Sequence, residues 1–531
     1  MLDVLIIGSG GAGLSAALQA KEKGASLLVV GKAYPTNSQT SMAQGGMNAA
    51  LGNVEEDAVD AHIADTIKSA HGLCDETMVH KMCHDAPRTI AWLENIAVPF
   101  SRLDNGEIGI KTIAQRQMGG ASSKRACYAQ DYTGLKILHT LYDTSLKNGI
   151  EFWDEHYLLN LIVKEGCAKG ATLLNIRTGE VKQINAKSVI LATGGYGSIY
   201  HGYTTNAYGS TGDGVAAVLR AGGKVSDMEF VQFHPTALKG SSILISESAR
   251  GEGGYLVNTK QERFVDELEP RDVVARAIFA ELQKGEEVFL DLRHLGEEKL
   301  MELLPQEVAL CKLHEHVNPA TELIPIKPVA HYSMGGIDVN HALEVTGIKG
   351  CFAVGECSNA KVHGANRLGG NSLLEITAFG KTAGENAYAH ALKTEHSEAD
   401  SLQLNEDKLH IESLYAQEYS INFYEQRELL GKLFYEKVGI VRDNTQLAQA
   451  MERVTALQKL QSKIGIQDKN LTDNTNLIDY LEFSNALQLA PLIISAAIER
   501  NESRGAHFKI GFETEDDAKF KYHIVSTLKG D

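Results

Sequence analysis

"VLIIGSGGAGLSAALQAKEKG", residues 4–24, is the stretch that decides the fold. Its first apolar residues, Val4–Ile7, are typical of a buried parallel strand. Gly8, Gly10 and Gly13 follow in the spacing G-x-G-x-x-G and open a helical segment. Glycines let a backbone approach a pyrophosphate closely, and the N-terminus of the helix supplies free N–H groups. The stretch therefore predicts a Rossmann-type domain that binds a dinucleotide.

The acid that usually holds the ribose is missing after the second predicted strand. An Asp or Glu is expected near the end of that strand, but residues 27–34, "LLVVGKAY", contain none. The next residues, 35–46 or "PTNSQTSMAQGG", are rich in hydroxyl and amide side chains. We expect this loop to hold the cofactor instead, with Lys32, Ser38 and Thr40 as candidate contacts.

The order of strand, glycines, acid and helix recurs further along the chain. A large doubly wound α/β domain is assembled from distant segments in this way. The recurring segments are "SVILATGGYGSIY" (188–200), "STGDGVAAVLRAGG" (210–223), "GCFAVGEC" (350–357) and "HGANRLGGNSLLEITAFGKTAGENAYAHA" (363–391).

Between these segments the sequence changes character and predicts an inserted α+β capping domain, and after about residue 405 it becomes helical. The fold class expected is α/β: a Rossmann-type domain with an inserted α+β capping domain and a C-terminal helical domain. The predicted segments are 1–228 and 332–396 for the dinucleotide-binding domain, 229–331 for the capping domain, 405–500 for the helical domain and 501–531 for a tail.

Composition excludes several classes of protein. The formal net charge is −17, which argues against nucleic acid as a partner. The seven cysteines are scattered without a CxxC pair, so we expect a reduced, cytoplasmic protein with no metal site of its own. We expect no export signal, and the longest apolar runs are far below the roughly 18 residues of a membrane span.

A set of longer motifs extends from residue 2 to about 507. They are "AQGG", "ATGGYG", "STGDG", "EFVQFHPT", "RGEGG", "PRDVVARA", "HYSMGG", "HGANRLGGNSLLE" and "ESRGAH". In these motifs the chain resembles the flavoprotein subunit of succinate dehydrogenase and fumarate reductase. The resemblance implies FAD as cofactor, interconversion of fumarate and succinate, and electron exchange with a separate iron–sulfur subunit. Any membrane contact would come through a further partner subunit, and the chain itself would be cytoplasmic.

The resemblance also assigns roles to residues. Hydride would come from flavin N5, and Arg271 would deliver the proton, with Glu247 and Arg250 as its relay to solvent and Asp272 orienting it. The residues implied around the substrate carboxylates are Gln44, Gly45, His234, Ser246, His331 and Arg367, of which His234, His331 and Arg367 are also catalytic. The residues implied in FAD binding are Gly8, Gly10, Gly11, Ala12, Gly13, Lys32, Ser38, Gln39, Thr40, Gly45, Gly46, Ala192, Thr193, Gly194, Asp213, Glu356, Arg367, Ser372 and Leu373.

Two residues depart from the pattern of this family. Gln39 stands where most members have a histidine bonded covalently to the flavin ring. An amide cannot make that bond, so we expect non-covalent FAD, a weaker oxidant, and a bias toward fumarate reduction. Met118, in "RQMGG", replaces an aromatic residue that many relatives place beside the substrate. Because methionine is flexible, substrate selection on that side is open.

Three functions fit the sequence. The first is the flavoprotein of a fumarate reductase or succinate dehydrogenase complex. The second is a free-standing L-aspartate oxidase, which shares many of the motifs and is favoured by the missing histidine and the short chain. The third is a flavin-binding protein without dicarboxylate turnover, which the complete set of arginines and histidines disfavours.

Overall fold

The computed structural model describes residues 2–103, 109–395 and 400–528. Its largest sheet has seven strands, and the predicted first strand, Leu2–Ile7, lies near the middle. This strand pairs in parallel with Leu27–Val30 on one side and with Val181–Leu191 on the other. The strands follow the spatial order Glu151–Trp153, Leu27–Val30, Leu2–Ile7, Val181–Leu191, Cys167–Asn175 and His156–Lys164, and Cys351–Ala353 also pairs with Val181–Leu191.

Two helices pack on this sheet and on each other, Gly11–Glu22 and Asn371–Lys393. Their backbones approach so closely that a Cβ on Gly384 would lie 2.2 Å from the carbonyl oxygen of Ala16. Glycine at position 384 is therefore required by this close contact.

A second, antiparallel sheet is formed within the segment predicted as the capping domain. Its strands, in spatial order, are Val231–Leu238, Ile324–Ser333, Val288–Asp291 and Tyr255–Asn258. Four helices accompany it, Glu247–Gly251, Arg271–Gln283, Glu297–Leu303 and Pro305–His314. Leu256, Ile278 and Leu290 belong to a hydrophobic cluster that is separate from the main core.

Short strands and further helices connect these parts. The short strands are Met47–Asn48, Gln115–Arg116, Ala126–Cys127, Val225–Ser226, Gly336–Asp338, Ser358–Asn359, Ile421–Asn422, Val441–Arg442, Ile464–Gly465, Phe508–Lys509 and Val525–Ser526. The helices are Val59–Ser69, Glu76–Asn95, Thr133–Lys147, Asp213–Arg220, Leu402–Ala416, Phe423–Lys437, Asn444–Lys459, Thr475–Glu499 and Asp517–Phe520.

One helix in the described part of the chain, Thr475–Glu499, is long and apolar enough to cross a membrane by length and composition. Two thirds of its most apolar window is buried inside the fold, and Glu482 on this helix forms an ion pair with Lys32 of the first domain. These contacts are those of a core helix.

The architecture confirms the predicted fold class, a Rossmann-type α/β domain with an inserted α+β part and a helical part after residue 400. The domain boundaries stay a prediction, and three of their limits, at residues 1, 396 and 531, lie outside the described residues.

Candidate active site

The glycine loop and the segment that follows the strand Val181–Leu191 meet at one end of a cavity. A Cβ on Gly8 would lie 2.0 Å from the carbonyl oxygen of Ala192, and Gly8 has a φ of +115°. Only glycine tolerates both the contact and the backbone angle. Gly13 packs behind the loop, since its Cβ would lie 1.9 Å from Gly8 O. Of the predicted cofactor residues, Gly13 is the one that does not line the cavity.

All the other predicted cofactor residues line this cavity. They are Gly8, Gly10, Gly11, Ala12, Lys32, Ser38, Gln39, Thr40, Gly45, Gly46, Ala192, Thr193, Gly194, Asp213, Glu356, Arg367, Ser372 and Leu373.

The amino group of Lys32 already donates to three side chains of the protein. Its Nζ donates to Asp213 Oδ2 at 2.6 Å, to Glu482 Oε1 at 2.6 Å and to Thr211 Oγ1 at 3.1 Å. Burial lowers and these two carboxylates raise the pKa of Lys32, and the net shift is upward. The lysine therefore positions Asp213 at the cavity wall. Through Glu482 it also connects the helix Thr475–Glu499 to this part of the cavity.

The residues of the loop 35–46 divide between structure and ligand contacts. Thr40 Oγ1 accepts from Gly11 N at 3.1 Å, and Gln39 Oε1 accepts from Ala207 N at 2.7 Å. Ser38 Oγ and Thr193 Oγ1 are buried without a hydrogen-bond partner in the described part of the chain. Buried polar atoms without partners are costly, and both of these residues line the cavity. This end of the cavity fits a polar dinucleotide.

The opposite end of the cavity contains the predicted proton relay. Arg271 donates to Glu247 Oε2 from Nη2 at 2.8 Å and from Nε at 3.2 Å. Arg250 Nη2 donates to Glu247 Oε1 at 3.2 Å, as expected for residues three apart on the helix Glu247–Gly251. Burial raises the pKa of Glu247, but the two arginines lower it more, so the carboxyl stays ionised. Arg250 does not line the cavity and lies behind Glu247.

The partner of Arg271 differs from the expected one. Asp272 accepts from Arg276 Nη2 at 2.8 Å and lies 3.6 Å from His71 Nε2, so it does not orient Arg271. Gln232 does, because its Oε1 accepts from Arg271 Nη1 at 3.1 Å. Gln232 belongs to the motif "EFVQFHPT". Its place in this motif, beside His234, was the one feature of the sequence that could have indicated a role in the site.

Two histidines face each other across the same space. The ring centroids of His234 and His331 are 4.8 Å apart. His331 Nδ1 bonds to Thr205 Oγ1 at 2.6 Å, and His234 Nδ1 lies 3.2 Å from Thr236 N. Burial and nearby positive charge hold the pKa of both histidines well below the ordinary value. They are neutral near pH 7, and their Nε2 atoms remain for a ligand.

Arg367 is a buried cation without a counter-ion in the described part of the chain. It is 4% exposed, its Nε has no hydrogen-bond partner among the described residues, and its guanidinium lies 4.2 Å from the ring centroid of Tyr332. Burial, followed by the charge of Arg271, lowers the pKa of Arg367 to about 10. Gly369, two residues after Arg367, lets the backbone approach Glu247 closely, since a Cβ at this position would lie 2.3 Å from Glu247 Oε2.

The predicted substrate residues thus share one wall-to-wall space. All six, Gln44, Gly45, His234, Ser246, His331 and Arg367, line the cavity, and so do the predicted catalytic residues Glu247 and Arg271, but Arg250 does not. Met118 lines it too and packs on Gly45, whose Cβ would lie 2.6 Å from Met118 Cε. The arrangement can bind an anionic group at Arg367, offer hydrogen bonds from two imidazoles and present a proton from Arg271.

Comparison with known proteins identifies the family of the chain. The family model described as FAD binding domain matches residues 3–373, and the one described as fumarate reductase flavoprotein C-term matches residues 427–531. The chain is 37% identical to a fumarate reductase flavoprotein subunit of Haemophilus influenzae, covering 99% of this chain and 92% of that protein. It is 39% identical to a succinate dehydrogenase flavoprotein subunit of Coxiella burnetii, covering 98% and 94%. A solved E. coli quinol fumarate reductase chain superposes with a TM-score of 0.94 at 36% identity, covering 99% and 94%.

Proposed function

The chain belongs to the family of fumarate reductase and succinate dehydrogenase flavoprotein subunits, and we propose that it interconverts fumarate and succinate with FAD bound. The observation that supports this most directly is Arg367. A guanidinium that is buried without a counter-ion is costly and calls for an anionic ligand. A small dicarboxylate fits, because its carboxylates can pair with Arg367 and accept from the imidazoles of His234 and His331.

The protein residues divide the chemistry between binding and proton transfer. Arg367, with its planar fork, pairs with both oxygens of one carboxylate. His234, His331 and Ser246 donate to the other carboxylate and fix the orientation of the carbon–carbon double bond. FAD, when bound at the glycine-loop end, supplies or accepts the hydride.

The proton is held on the Arg271 guanidinium. In fumarate reduction it passes to the substrate carbon, and Arg271 is reprotonated through Glu247, whose Oε2 accepts from Nε and Nη2 of the arginine. Arg250 lies on the far side of Glu247 and continues the relay away from the cavity. Succinate oxidation uses the same groups in the reverse order.

FAD is held without a covalent bond in this proposal. The side chain at the position of the family's linking histidine is the Gln39 amide, and its oxygen is engaged with Ala207 N. Since the covalent link raises the reduction potential in this family, its absence favours fumarate reduction over succinate oxidation.

The partner expected from the family is an iron–sulfur subunit, with any membrane contact made through further subunits. Among the relatives, the Haemophilus and Coxiella proteins are both named as flavoprotein subunits. Co-purification of the tagged chain from its native host, followed by iron analysis of the complex, tests this part.

A substrate panel tests the proposed activity. The purified, FAD-loaded chain is assayed with fumarate and a reduced viologen dye, with succinate and an oxidised dye, and with L-aspartate under oxygen. We expect turnover with fumarate and succinate and no peroxide from aspartate. Peroxide from aspartate without fumarate or succinate turnover would replace this proposal with an aspartate oxidase.

A further inference from the structure

Three buried polar side chains lie outside the cavity, behind the helix Glu247–Gly251. They are Arg116, Asp131 and Glu307, and each is at most 4% exposed. None of them lines the cavity, and none has a part in the mechanism above.

Asp131 joins the first domain to the segment predicted as the capping domain. Its Oδ2 accepts from Gln306 N at 2.8 Å and from Glu307 N at 3.0 Å. These are free N–H groups in the first turn of the helix Pro305–His314, so the carboxylate caps this helix. Asp131 itself precedes the helix Thr133–Lys147, which packs against the first domain.

Glu307 connects the helix Pro305–His314 to Ser246 of the active site by a hydrogen bond. Its Oε1 accepts from Ser246 N at 2.8 Å. Ser246 is the N-cap of the helix Glu247–Gly251, where its Oγ accepts from Ser248 N. A series of hydrogen bonds from Asp131 through Glu307 to Ser246 therefore connects the first domain to the helix that contains Glu247 and Arg250.

The remaining polar atoms of this group have no hydrogen-bond partner in the described ranges. They are Glu307 Oε2, Asp131 Oδ1, and Nε and Nη1 of Arg116. The titratable groups that face Glu307 are Asp131, Arg116 and Cys311, and Arg116 in turn lies near Glu252, at 3.7 Å, and over the Tyr128 ring.

We propose that Glu307 is a positioning residue, which links the docking of the capping segment on Asp131 to the placement of Ser246 and the helix Glu247–Gly251. The inference extends the proposed function and rests on it for its kinetic consequence. A group that holds Ser246 in register controls how well the substrate is bound, so KM is the parameter most affected.

The sign of the pH effect follows from burial. Burial, and then the charge of Asp131, raises the pKa of Glu307 to about 8. The carboxyl is therefore neutral near pH 7, and a second negative charge beside Asp131 is avoided. Oε1 accepts from Ser246 N in either state, but ionisation of Glu307 as the pH rises through about 8 buries a second negative charge beside Asp131 and weakens the docking of the helix Pro305–His314.

The experiment compares Glu307→Gln and Glu307→Ala with Glu298→Gln, an exposed control in the same segment. Glutamine keeps the acceptor for Ser246 N and cannot ionise, whereas alanine removes the acceptor. We expect the wild type and the control to show a KM for fumarate that rises above about pH 8, a rise that is absent in Glu307→Gln. In Glu307→Ala we expect a KM about tenfold higher at all pH values, as for a buried N–H left without its acceptor.

A second readout does not need turnover. Hydrogen exchange of the peptide spanning 245–252 should be faster in Glu307→Ala than in the wild type and in the control. An unchanged alkaline rise of KM in Glu307→Gln, or unchanged exchange in Glu307→Ala, would overturn the inference. Absent fumarate turnover in the wild type would instead refute the proposed function, and the exchange data would still decide the role of Glu307.

Discussion

Replacement of Arg271 by glutamine should lower the turnover number for fumarate by about two to four orders of magnitude. General acid catalysis by a positioned side chain is typically worth 10²- to 10⁴-fold, or about 3–5 kcal/mol of barrier. The structure favours the upper part of this range. Arg271 bonds to Glu247 with two nitrogen atoms and to Gln232 with the third, so the substitution removes the proton donor and its link to the relay together.

The binding of FAD should not change in this variant. Arg271 lies with Glu247 and Gln232, apart from the glycine loop and the contacts of Lys32 and Asp213. Flavin content is measured from the visible absorbance of the purified protein, and turnover is measured with a reduced viologen dye over a range of fumarate concentrations.

Two matched variants separate charge from proton delivery. Arg271→Lys keeps the positive charge but lacks the planar fork that reaches Glu247 with two nitrogens and Gln232 with the third, so KM should stay near the wild-type value while the turnover number falls at least tenfold. Arg276→Gln, on the same helix but outside the cavity, should stay within threefold of the wild type. A turnover number of Arg271→Gln within threefold of the wild type would refute the assignment of the proton to this residue.

Three further predictions follow from other parts of the molecule. Acid precipitation should leave the yellow colour in the supernatant, because the Gln39 amide cannot bond to the flavin; colour retained in the pellet would contradict this. Fumarate reduction should be faster than succinate oxidation with dyes, since each fall of about 30 mV in a two-electron potential costs 1.4 kcal/mol; equal or faster succinate oxidation would show that the potential is restored by other means. Gly384→Ala should lower the free energy of unfolding by about 1–3 kcal/mol, seen as a lower urea midpoint, because its Cβ would lie 2.2 Å from Ala16 O; an unchanged midpoint would mean that the two helices can separate slightly.

Local sequence patterns predicted the parts of the site that depend on backbone geometry. The glycine loop, the strand before it and the helix after it follow from residues that are close in the sequence, because φ angles and close approaches are local properties. The pairing of Glu247 with Arg250 followed in the same way from their spacing on one helical turn.

Partners that come from distant segments could not be predicted. Lys32 was expected among the cofactor contacts, and that stays a prediction, but its ion pair with Glu482 from the C-terminal part gave no local sequence signal. Asp272 neighbours Arg271 in sequence, but side chains at successive positions of a helix point in different directions. Asp272 therefore pairs with Arg276, and Gln232 contacts Arg271 instead. Glu307 gave no signal because its role depends on burial beside Asp131, which only the tertiary fold creates.

The charges of the site favour a dicarboxylate without an ammonium group, such as fumarate or succinate, over aspartate. Arg271 and Arg250 share the single carboxylate of Glu247, and Arg367 has no ion-pair partner in the described part of the chain, so the arginines outnumber the carboxylate that pairs with them. The low pKa of His234 and of His331 already reflects burial together with this positive field. The ammonium group of aspartate would have to enter the same field, and the carboxylate of Glu247 already accepts from both arginines. Fumarate and succinate bring only negative charge, and the Debye length of about 8 Å at physiological salt shields them from most of the acidic surface. The local arginines, and not the net charge of −17, therefore decide which substrate binds.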